Sequence, residues 1–331
     1  MRALTFDKQG LANLQVEDVP EPAISDHDVL VEVQRAAVNP IDHRAATTIP
    51  NVKPMPHIPG AEFAGTITKT GAHVDNVKVG DRVTVYNRVF DGTCDMCIGA
   101  REMLCRNGGI IGVVTDGGHA EYARVPANCV FPIPEHLGWE MAASLPVAAL
   151  TSYHALLEAE LKPNETLVVF GASGNTGLFA VQFGRRFGAS VVAVSDSGWV
   201  KDYGADHVVP RVDAVERVRE LTGGKMANVV LNSLGSATWQ TAFDTVGLGG
   251  RLVLFGVLTG SKAEVALDRV YNRQIRIVGS TGGTRRELAQ LISVAKELRL
   301  KVWRRFKLDD AVEAYNSLFS KQRQGRVLIK P

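Results

Sequence analysis

The stretch "VVFGASGNTGLF" at residues 168–179 decides the fold of the second half of this chain. An apolar run ends in three evenly spaced glycines, Gly171, Gly174 and Gly177, and a helical pattern follows. Residues without a β-carbon let the backbone approach a pyrophosphate, whose charge sits on free N–H groups at a helix N-terminus. We therefore expect a dinucleotide here; the alternative is a tight structural turn. The polar side chains expected to line the contact are Ser173, Asn175 and Thr176.

The sequence beyond this turn alternates apolar runs with helical stretches. The run "SVVAVSDS" (190–197) completes a βαβ unit, and "ANVVLNSLG", "GGRLVLFGVL" and "QIRIVGST" continue the pattern. Strands that alternate with helices form a parallel sheet with helices on both faces. Residues 146–285 are therefore predicted to form a dinucleotide-binding α/β domain.

Residues 1–145 have a different pattern. Short alternating runs such as "HDVLVEVQRAAV" and "GDRVTVYNRV" lie between turn residues, which predicts a β-rich, partly closed barrel. The segment 286–331 contains a helix and a last strand that we expect to rejoin this domain. Two domains also suit a chain of 331 residues, which is longer than one hydrophobic core usually serves.

Composition narrows the functional classes. The net charge of +2 gives no electrostatic reason to expect nucleic acid or an anionic membrane as a partner. No apolar run reaches the length of a spanning helix, and the N-terminus lacks the apolar core of a secretory signal, so a cytoplasmic protein is expected. In such a chain, closely spaced cysteines indicate metal ligands more than disulfides.

The end of the second strand of the βαβ unit discriminates between the two nicotinamide cofactors. A carboxylate there would bind the ribose 2′-hydroxyl and repel a 2′-phosphate. Ser195 occupies this place, Ser197 can donate to phosphate and Lys201 follows, which favours NADP(H) over NAD. Asp196 argues in the opposite direction, and Lys201 is alternatively a solvated charge.

The order of several short motifs resembles the medium-chain dehydrogenase/reductase superfamily. They are "NPIDHR", "IPGAEFAG", "VKVGDRV", "GGHAEY", "LPVAALTSYHAL" and "GASGNTG", and together they extend over essentially the whole chain. The resemblance implies a GroES-like catalytic domain (1–145, completed by 286–331), a Rossmann domain (146–285) and a cofactor in the cleft between them.

The resemblance also gives an interpretation of the cysteines. The family's structural zinc lobe carries four cysteines, and aligning that array places Cys94, Cys97 and Cys105 on its last three positions. Asp91 falls on the first, and its oxygen is an acceptable zinc ligand. One structural Zn²⁺ is thus expected in residues 85–112. Glu102 is a rival ligand with poorer spacing, and a metal-free lobe with Cys94 and Cys97 as thiols or a disulfide is the alternative.

The catalytic zinc of the family is not expected in this chain. The three ligand positions are occupied by Asn39, Ala61 and Val147, none of which is a Cys or His. Only Glu62 remains, and one carboxylate cannot hold the ion. Ile41 stands where the proton-relaying Ser or Thr is usual.

Without a Lewis acid, hydride transfer to an electron-poor acceptor is easier than oxidation of a simple alcohol. We therefore expect an NADPH-dependent oxidoreductase acting on a hydrophobic carbonyl, quinone or conjugated enone. Asn39 is expected to position the carbonyl or the nicotinamide amide, unless it only closes an Asn-Pro turn, and Thr151 to lie near the nicotinamide. Tyr153 and His154 are expected to pack in the core rather than donate protons.

The remaining expectations concern the loops of the dinucleotide-binding domain, two alternative functions and the oligomeric state. Loops after parallel strands line the ligand crevice, and those expected to contact the nicotinamide half contain Phe255, Val257, Ser280 and Thr281. One alternative function is an alcohol dehydrogenase that interconverts bulky secondary alcohols and ketones. Another is a non-enzymatic NADPH-binding protein. A homodimer or homotetramer is expected over a monomer.

Overall fold

The computed structural model describes all 331 residues. It divides into two compact units, Met1–Val147 with Thr284–Pro331, and Ala148–Gly283. The second unit therefore interrupts the first along the chain. None of the helices combines the length and the apolar character that crossing a bilayer would need.

Strands and helices are numbered along the chain. The strands are β1 (Arg2–Thr5), β2 (Gln15–Asp18), β3 (Asp28–Ala37), β4 (Phe63–Thr70), β5 (Arg82–Val85), β6 (Arg88–Val89), β7 (Gly109–Ile110), β8 (Tyr122–Pro126), β9 (Val130–Pro132), β10 (Thr166–Phe170), β11 (Ser190–Val194), β12 (His207–Val209), β13 (Ala227–Asn232), β14 (Val246–Leu254), β15 (Arg276–Gly279), β16 (Val302–Lys307) and β17 (Arg326–Lys330). The α-helices are α1 (Pro40–Thr47), α2 (Asp95–Ile98), α3 (Trp139–Ala142), α4 (Leu150–Glu158), α5 (Gly177–Arg186), α6 (Ala214–Leu221), α7 (Ser236–Asp244), α8 (Leu267–Asn272), α9 (Arg285–Val294) and α10 (Ala311–Ser317).

The first unit is built on a seven-stranded sheet. Its long strand β3 pairs with β4, with β8 through its first half, and with β17 through its last two residues. The β3 pattern of alternating valine and leucine buries Val29, Val31 and Val33 in an apolar core. Because β17 is the last strand of the chain, residues far apart in sequence meet at the end of β3.

The second unit is a six-stranded parallel sheet with the order β12-β11-β10-β13-β14-β15. From β10 the chain runs outward through β11 and β12, then returns to place β13 on the other side of β10. This is the order of the dinucleotide-binding α/β fold, and ligands bind such sheets where the order reverses, beyond the carboxyl ends of the strands. The predicted fold class, a GroES-like unit with a Rossmann-type unit, is confirmed.

Candidate functional site

The glycine-rich turn of the second unit follows β10 at the point of strand-order reversal. Gly171 has a φ of +71°, which favours glycine, and a β-carbon on Gly177 would lie 2.1 Å from the Gly171 carbonyl oxygen. Helix α5 begins at Gly177. The turn therefore requires glycine at both positions, and it leads directly into the N-terminus of α5.

The polar side chains of this turn differ in exposure. Asn175 is buried, whereas Ser173 and Thr176 are half-buried. The Ser152 hydroxyl of α4 donates to the Thr176 carbonyl at 2.6 Å, which anchors the turn to the preceding helix. The turn can offer backbone N–H groups and two partly accessible hydroxyls to a phosphate.

The end of β11 carries the residues predicted to select the cofactor. The Ser197 N–H donates to the Ser195 hydroxyl oxygen at 3.0 Å, so the two serines form one compact turn. Lys201 lies on a short 3-10 helix, Gly198–Tyr203, and is exposed, as is Asp196. The structure thus places both serines, one cation and one carboxylate within seven residues of each other in the chain.

The loops after β14 and β15 lie side by side, because Leu254 pairs with Gly279 at the strand ends. The Ser280 N–H donates to the Leu254 carbonyl at 2.9 Å. The Ser280 hydroxyl is buried without a hydrogen-bond partner, which leaves it available to a ligand group. Phe255 is half-buried, and Val257 and Thr281 are exposed.

Helix α4 carries three polar side chains singled out from the sequence. Thr151 is half-buried at its first turn. The Tyr153 ring packs against Phe183 and Phe187 at centroid distances of 5.3 and 5.8 Å. His154 is buried. Packing of the tyrosine ring accords with the interpretation of Tyr153 as a core residue.

The segment 85–112, called the cysteine lobe below, gathers four possible metal ligands. One ligand atom from each of Asp91, Cys94, Cys97 and Cys105 lies within 4.8 Å of the others. The Cys94 sulfur is 3.6 Å from that of Cys97 and 3.9 Å from that of Cys105. A tetrahedral zinc with 2.3 Å bonds to sulfur would separate them by about 3.8 Å. The four residues fit a structural zinc, and the sulfur separations are too long for a disulfide.

Hydrogen bonds orient the Asp91 carboxylate, the candidate oxygen ligand of this lobe. One Asp91 carboxylate oxygen accepts the N–H groups of Cys94 and Thr93 at 3.0 and 2.9 Å. The other accepts the Asn107 amide at 2.6 Å. These bonds, that of Cys94 first, hold the pKa of Asp91 well below its usual range, so the side chain is in the ionised form that a metal requires. Glu102 is not among the gathered ligands.

A second group of polar and charged residues is buried at the end of β3. It is called the polar cluster below and consists of Asn39, Asp42, Glu62 and Arg326. Glu62 is fully buried and forms an ion pair with Arg326, which is 2% exposed. The same carboxylate accepts the Asn39 side-chain amide at 2.9 Å and the Val147 N–H at 2.7 Å. Arg326 also donates to the Asn39 amide oxygen at 3.2 Å. The Glu62 charge is therefore balanced from within the chain.

Asp42 completes this cluster. Its carboxylate accepts the Asn39 N–H at 2.7 Å, which caps α1, and the Ala61 N–H at 2.8 Å. Burial raises the pKa of Asp42 to about 7, and the Glu62 charge adds to the effect. A carboxyl group that shares a site with a second carboxylate is held partly protonated near neutral pH.

The donor set of the polar cluster does not fit a catalytic zinc. The three positions where the resemblance expects ligands contribute an amide already in the cluster at Asn39 and only backbone N–H groups at Ala61 and Val147. Structural and catalytic zinc sites have three or four protein ligands, drawn from Cys, His, Asp and Glu, and the three positions supply none of these side chains. Among the 331 described residues, the cysteine lobe alone gathers three or more His, Cys, Asp or Glu side chains.

Among the six histidines in the first unit, His119 and His43 have environments that lower their pKa by burial. His119 is fully buried and shares a 2.9 Å hydrogen bond with the Tyr315 hydroxyl, and burial lowers its pKa to about 4. The His43 ring packs edge-on against Phe319, and partial burial lowers its pKa. Both imidazoles are consequently neutral at pH 7.

Sequence reasoning missed Arg326. It begins the last strand, in "RVLIK", where three apolar residues follow and nothing marks the arginine as a buried charge. Its partner Glu62 lies 264 positions earlier. Only the pairing of β17 with β3 brings the two together.

A Rossmann-type unit with a glycine-rich turn, together with a β-rich unit whose cysteine lobe could hold a metal, is the arrangement expected of a dinucleotide-dependent oxidoreductase. Comparison with known families agrees. Residues 25–135 match the alcohol dehydrogenase GroES-like domain, and residues 176–297 match the zinc-binding dehydrogenase family.

Individual relatives cover nearly the whole chain. An alcohol dehydrogenase of Geobacillus stearothermophilus is 36% identical over 96% of both chains. An acryloyl-coenzyme A reductase of Sulfurisphaera tokodaii is 27% identical over 98% of this chain and 97% of its own. A cobalt- and zinc-bound thermostable alcohol dehydrogenase from Pyrobaculum aerophilum superposes with a TM-score of 0.94 at 37% identity, covering 100% of this chain and 99% of its own. The chain belongs to the medium-chain dehydrogenase/reductase superfamily, and it is an oxidoreductase of that family.

Proposed function

We propose that this protein is an NADPH-dependent oxidoreductase that transfers hydride to a hydrophobic carbonyl, quinone or conjugated enone without a catalytic zinc. The observation that carries the proposal is the buried Glu62–Arg326 pair. Arg326 engages the Glu62 carboxylate, the one possible zinc ligand left at this site. The three expected ligand positions, Asn39, Ala61 and Val147, offer no thiolate or imidazole.

The chemistry follows from the missing donors. NADPH, when bound, supplies a hydride. An alkoxide has no metal to stabilise it in the polar cluster, so an acceptor that is already electron-poor is favoured. The half-buried isopropyl group of Val147 suits an uncharged substrate, whereas the Ala61 methyl group is buried. A relative named for reduction of acryloyl-coenzyme A, a conjugated acceptor, supports this class.

We propose the following residue roles. The orientation of the Asn39 amide is fixed by Glu62 and Arg326, and its nitrogen also donates to the Ala37 carbonyl in a long bond of 3.4 Å. This last hydrogen is the one proposed to position the substrate carbonyl or the nicotinamide amide. Thr151 lies near the nicotinamide, as do the loops after β14 and β15. The buried Ser280 hydroxyl supports the assignment of the loop after β15, because it has no hydrogen-bond partner in the chain and could bond to a ligand. Asp91 and the three lobe cysteines hold a structural zinc that takes no part in hydride transfer.

The acceptor class is tested by following NADPH oxidation at equal concentrations of a quinone, a conjugated enone, an aryl ketone and an aliphatic aldehyde. We expect the first three to be reduced faster than the aldehyde. Preference for the aryl ketone, with oxidation of the matching secondary alcohol by NADP, would instead support the second candidate, a ketone reductase. The relatives named alcohol dehydrogenase favour that candidate.

The cofactor is tested with Ser195→Asp. A carboxylate at the end of β11 would repel a 2′-phosphate, so kcat/KM for NADPH relative to NADH should fall by about tenfold or more. Ser190→Asp places the same charge at the opposite end of β11, where Ser190 is exposed, and should leave the ratio unchanged. An unchanged ratio in Ser195→Asp would contradict NADPH as the cofactor.

We also propose a homodimer or homotetramer. Strand β15 ends the sheet of the second unit, and Ile277 on it is 39% exposed. Leu267 and Tyr271 on α8 are 74% and 71% exposed. An exposed strand edge with apolar side chains is a surface that proteins usually cover. Light scattering coupled to size exclusion would test the proposal, and a mass of one chain would contradict it.

A further inference from the structure

Glu102 lies inside the cysteine lobe but does not join its ligands. It begins a 3-10 turn, Glu102–Leu104, that ends directly before Cys105. The Cys105 N–H donates to the Glu102 carbonyl at 3.0 Å. The Glu102 residue is only 8% exposed, which is unusual for a carboxylate and calls for a partner.

The partner is the backbone of the return segment. The Glu102 carboxylate accepts the N–H of Arg285 at 2.5 Å, across 183 positions of sequence. Arg285 is the first residue of α9, whose cap Thr284 is the first residue of the first unit after the second unit ends. A carboxylate at this end of a helix also interacts favourably with the helix dipole.

The Arg285 side chain contacts the lobe from another direction. Its guanidinium lies over the rings of Phe90 and Phe131 at 5.4 and 5.3 Å, and Phe90 directly precedes Asp91. The first residue of α9 is thus fixed by the segment before the first ligand and by the turn before the last one. Both segments end on residues that the metal would hold.

We propose that Glu102 is a positioning residue that couples metal binding in the cysteine lobe to the start of α9. The proposal rests on the structural zinc proposed above. A metal that fixes Cys105 fixes the adjoining 3-10 turn, and the turn holds the carboxylate on the Arg285 N–H. When the lobe loses its metal, this N–H loses a charged acceptor, and such bonds are among the stronger ones in proteins.

The test is hydrogen exchange of peptides covering residues 284–294, measured on the full chain with zinc bound and after chelation, with zinc content determined on each sample. In the unmodified protein we expect chelation to speed exchange at the first turn of α9 by about tenfold or more. Glu102→Ala should show the faster exchange with zinc still bound, and chelation should add little. Glu102→Gln keeps an acceptor oxygen and should lie between the two.

The matched control is Asp95→Asn, which changes an exposed lobe carboxylate paired with Arg106. It should behave as the unmodified protein. Coupling between two sites is reciprocal. Glu102→Ala should therefore weaken zinc binding by about the same factor by which chelation speeds hydrogen exchange at α9 in the unmodified protein. Two outcomes would overturn the coupling. In one, the unmodified protein loses its zinc and hydrogen exchange in α9 does not change. In the other, chelation speeds α9 exchange in Glu102→Ala as much as in the unmodified protein. Purified protein without zinc would instead refute the metal site itself.

Discussion

The cysteine lobe and the polar cluster balance negative charge in opposite ways. In the lobe, one ligand atom from each of three cysteines and one carboxylate lies within 4.8 Å of the others near the surface, an arrangement that could hold a metal ion from outside the chain. In the polar cluster, the cation is the Arg326 guanidinium, supplied by the last strand. An ion can be removed and exchanged, whereas a guanidinium is permanent. The comparison fits the division proposed above, with a structural metal in the lobe and none in the polar cluster.

The largest expected effect is removal of the lobe's metal. Cys105→Ser should lose most of the bound zinc and lower the free energy of unfolding of the first unit by about 4 kcal/mol or more. Metal analysis and denaturant unfolding measure both. Cys129→Ala, a buried cysteine outside the lobe, should keep about one zinc per chain. Two zinc ions per chain in the unmodified protein would break the comparison.

The next effect is loss of the internal cation. Arg326→Leu leaves Glu62 buried without its counter-charge and should cost about 3–5 kcal/mol in denaturant unfolding. Arg305→Leu breaks an ion pair with Glu140 on a side chain that is 59% exposed, and should cost less than about 1 kcal/mol. A similar decrease in the free energy of unfolding in both variants would show that the buried Glu62–Arg326 pair contributes no more to stability than an exposed pair.

The pH dependence of stability should distinguish the two regions. The pKa of Asp42 is raised to about 7 in the fold, so the folded protein binds its proton more tightly than the unfolded chain. Its contribution is complete below the ordinary carboxyl pKa of about 4 and is lost as pH rises to about 7, by up to about 1.4 kcal/mol per pH unit.

Asp42→Asn should remove this component of the slope between pH 5 and pH 7. The comparison is made by denaturant unfolding of both proteins at each pH. Asp309→Asn, which changes an exposed carboxylate paired with Arg2, should retain the slope. A slope that persists in Asp42→Asn would show that another group causes it.

The smallest expected effect is at the surface of the lobe. The Arg106 guanidinium forms two hydrogen bonds with the Asp95 carboxylate, at 2.6 and 2.7 Å, and both side chains are more than half exposed. Solvent screens such a pair. Arg106→Ala should therefore leave zinc content and the unfolding temperature unchanged, which would confine the lobe's stability to its ligands. Loss of zinc in this variant would contradict that view.

Features whose residues are close in sequence were predictable. The glycine turn and its βαβ unit occupy residues 166–194, and the parallel sheet follows from the alternation of strands and helices. The lobe's four candidate ligands lie within 15 positions, from Asp91 to Cys105, and the resemblance to the family's cysteine array predicts the group that the structure brings together. In both cases local backbone geometry does most of the positioning.

Contacts between distant segments were not predictable. Spacing alone made Glu102 a poor rival for a ligand, and its actual partner, the Arg285 N–H, lies 183 positions away. The absence of Cys and His at three positions predicts that no catalytic zinc is bound, but nothing in the sequence indicated that Arg326 pairs with Glu62. That ion pair depends on the pairing of the last strand with β3.

The placement of β17 has a consequence for biosynthesis. Glu62 leaves the ribosome 264 residues before Arg326. At about 5–20 residues per second, the carboxylate waits roughly 10–50 s for its counter-charge. In that interval the second unit, which is continuous in sequence, has everything it needs to fold, whereas the first lacks one of the strands that flank β3. Nascent chains halted before residue 326 should therefore contain a protease-resistant second unit attached to an unfinished first one.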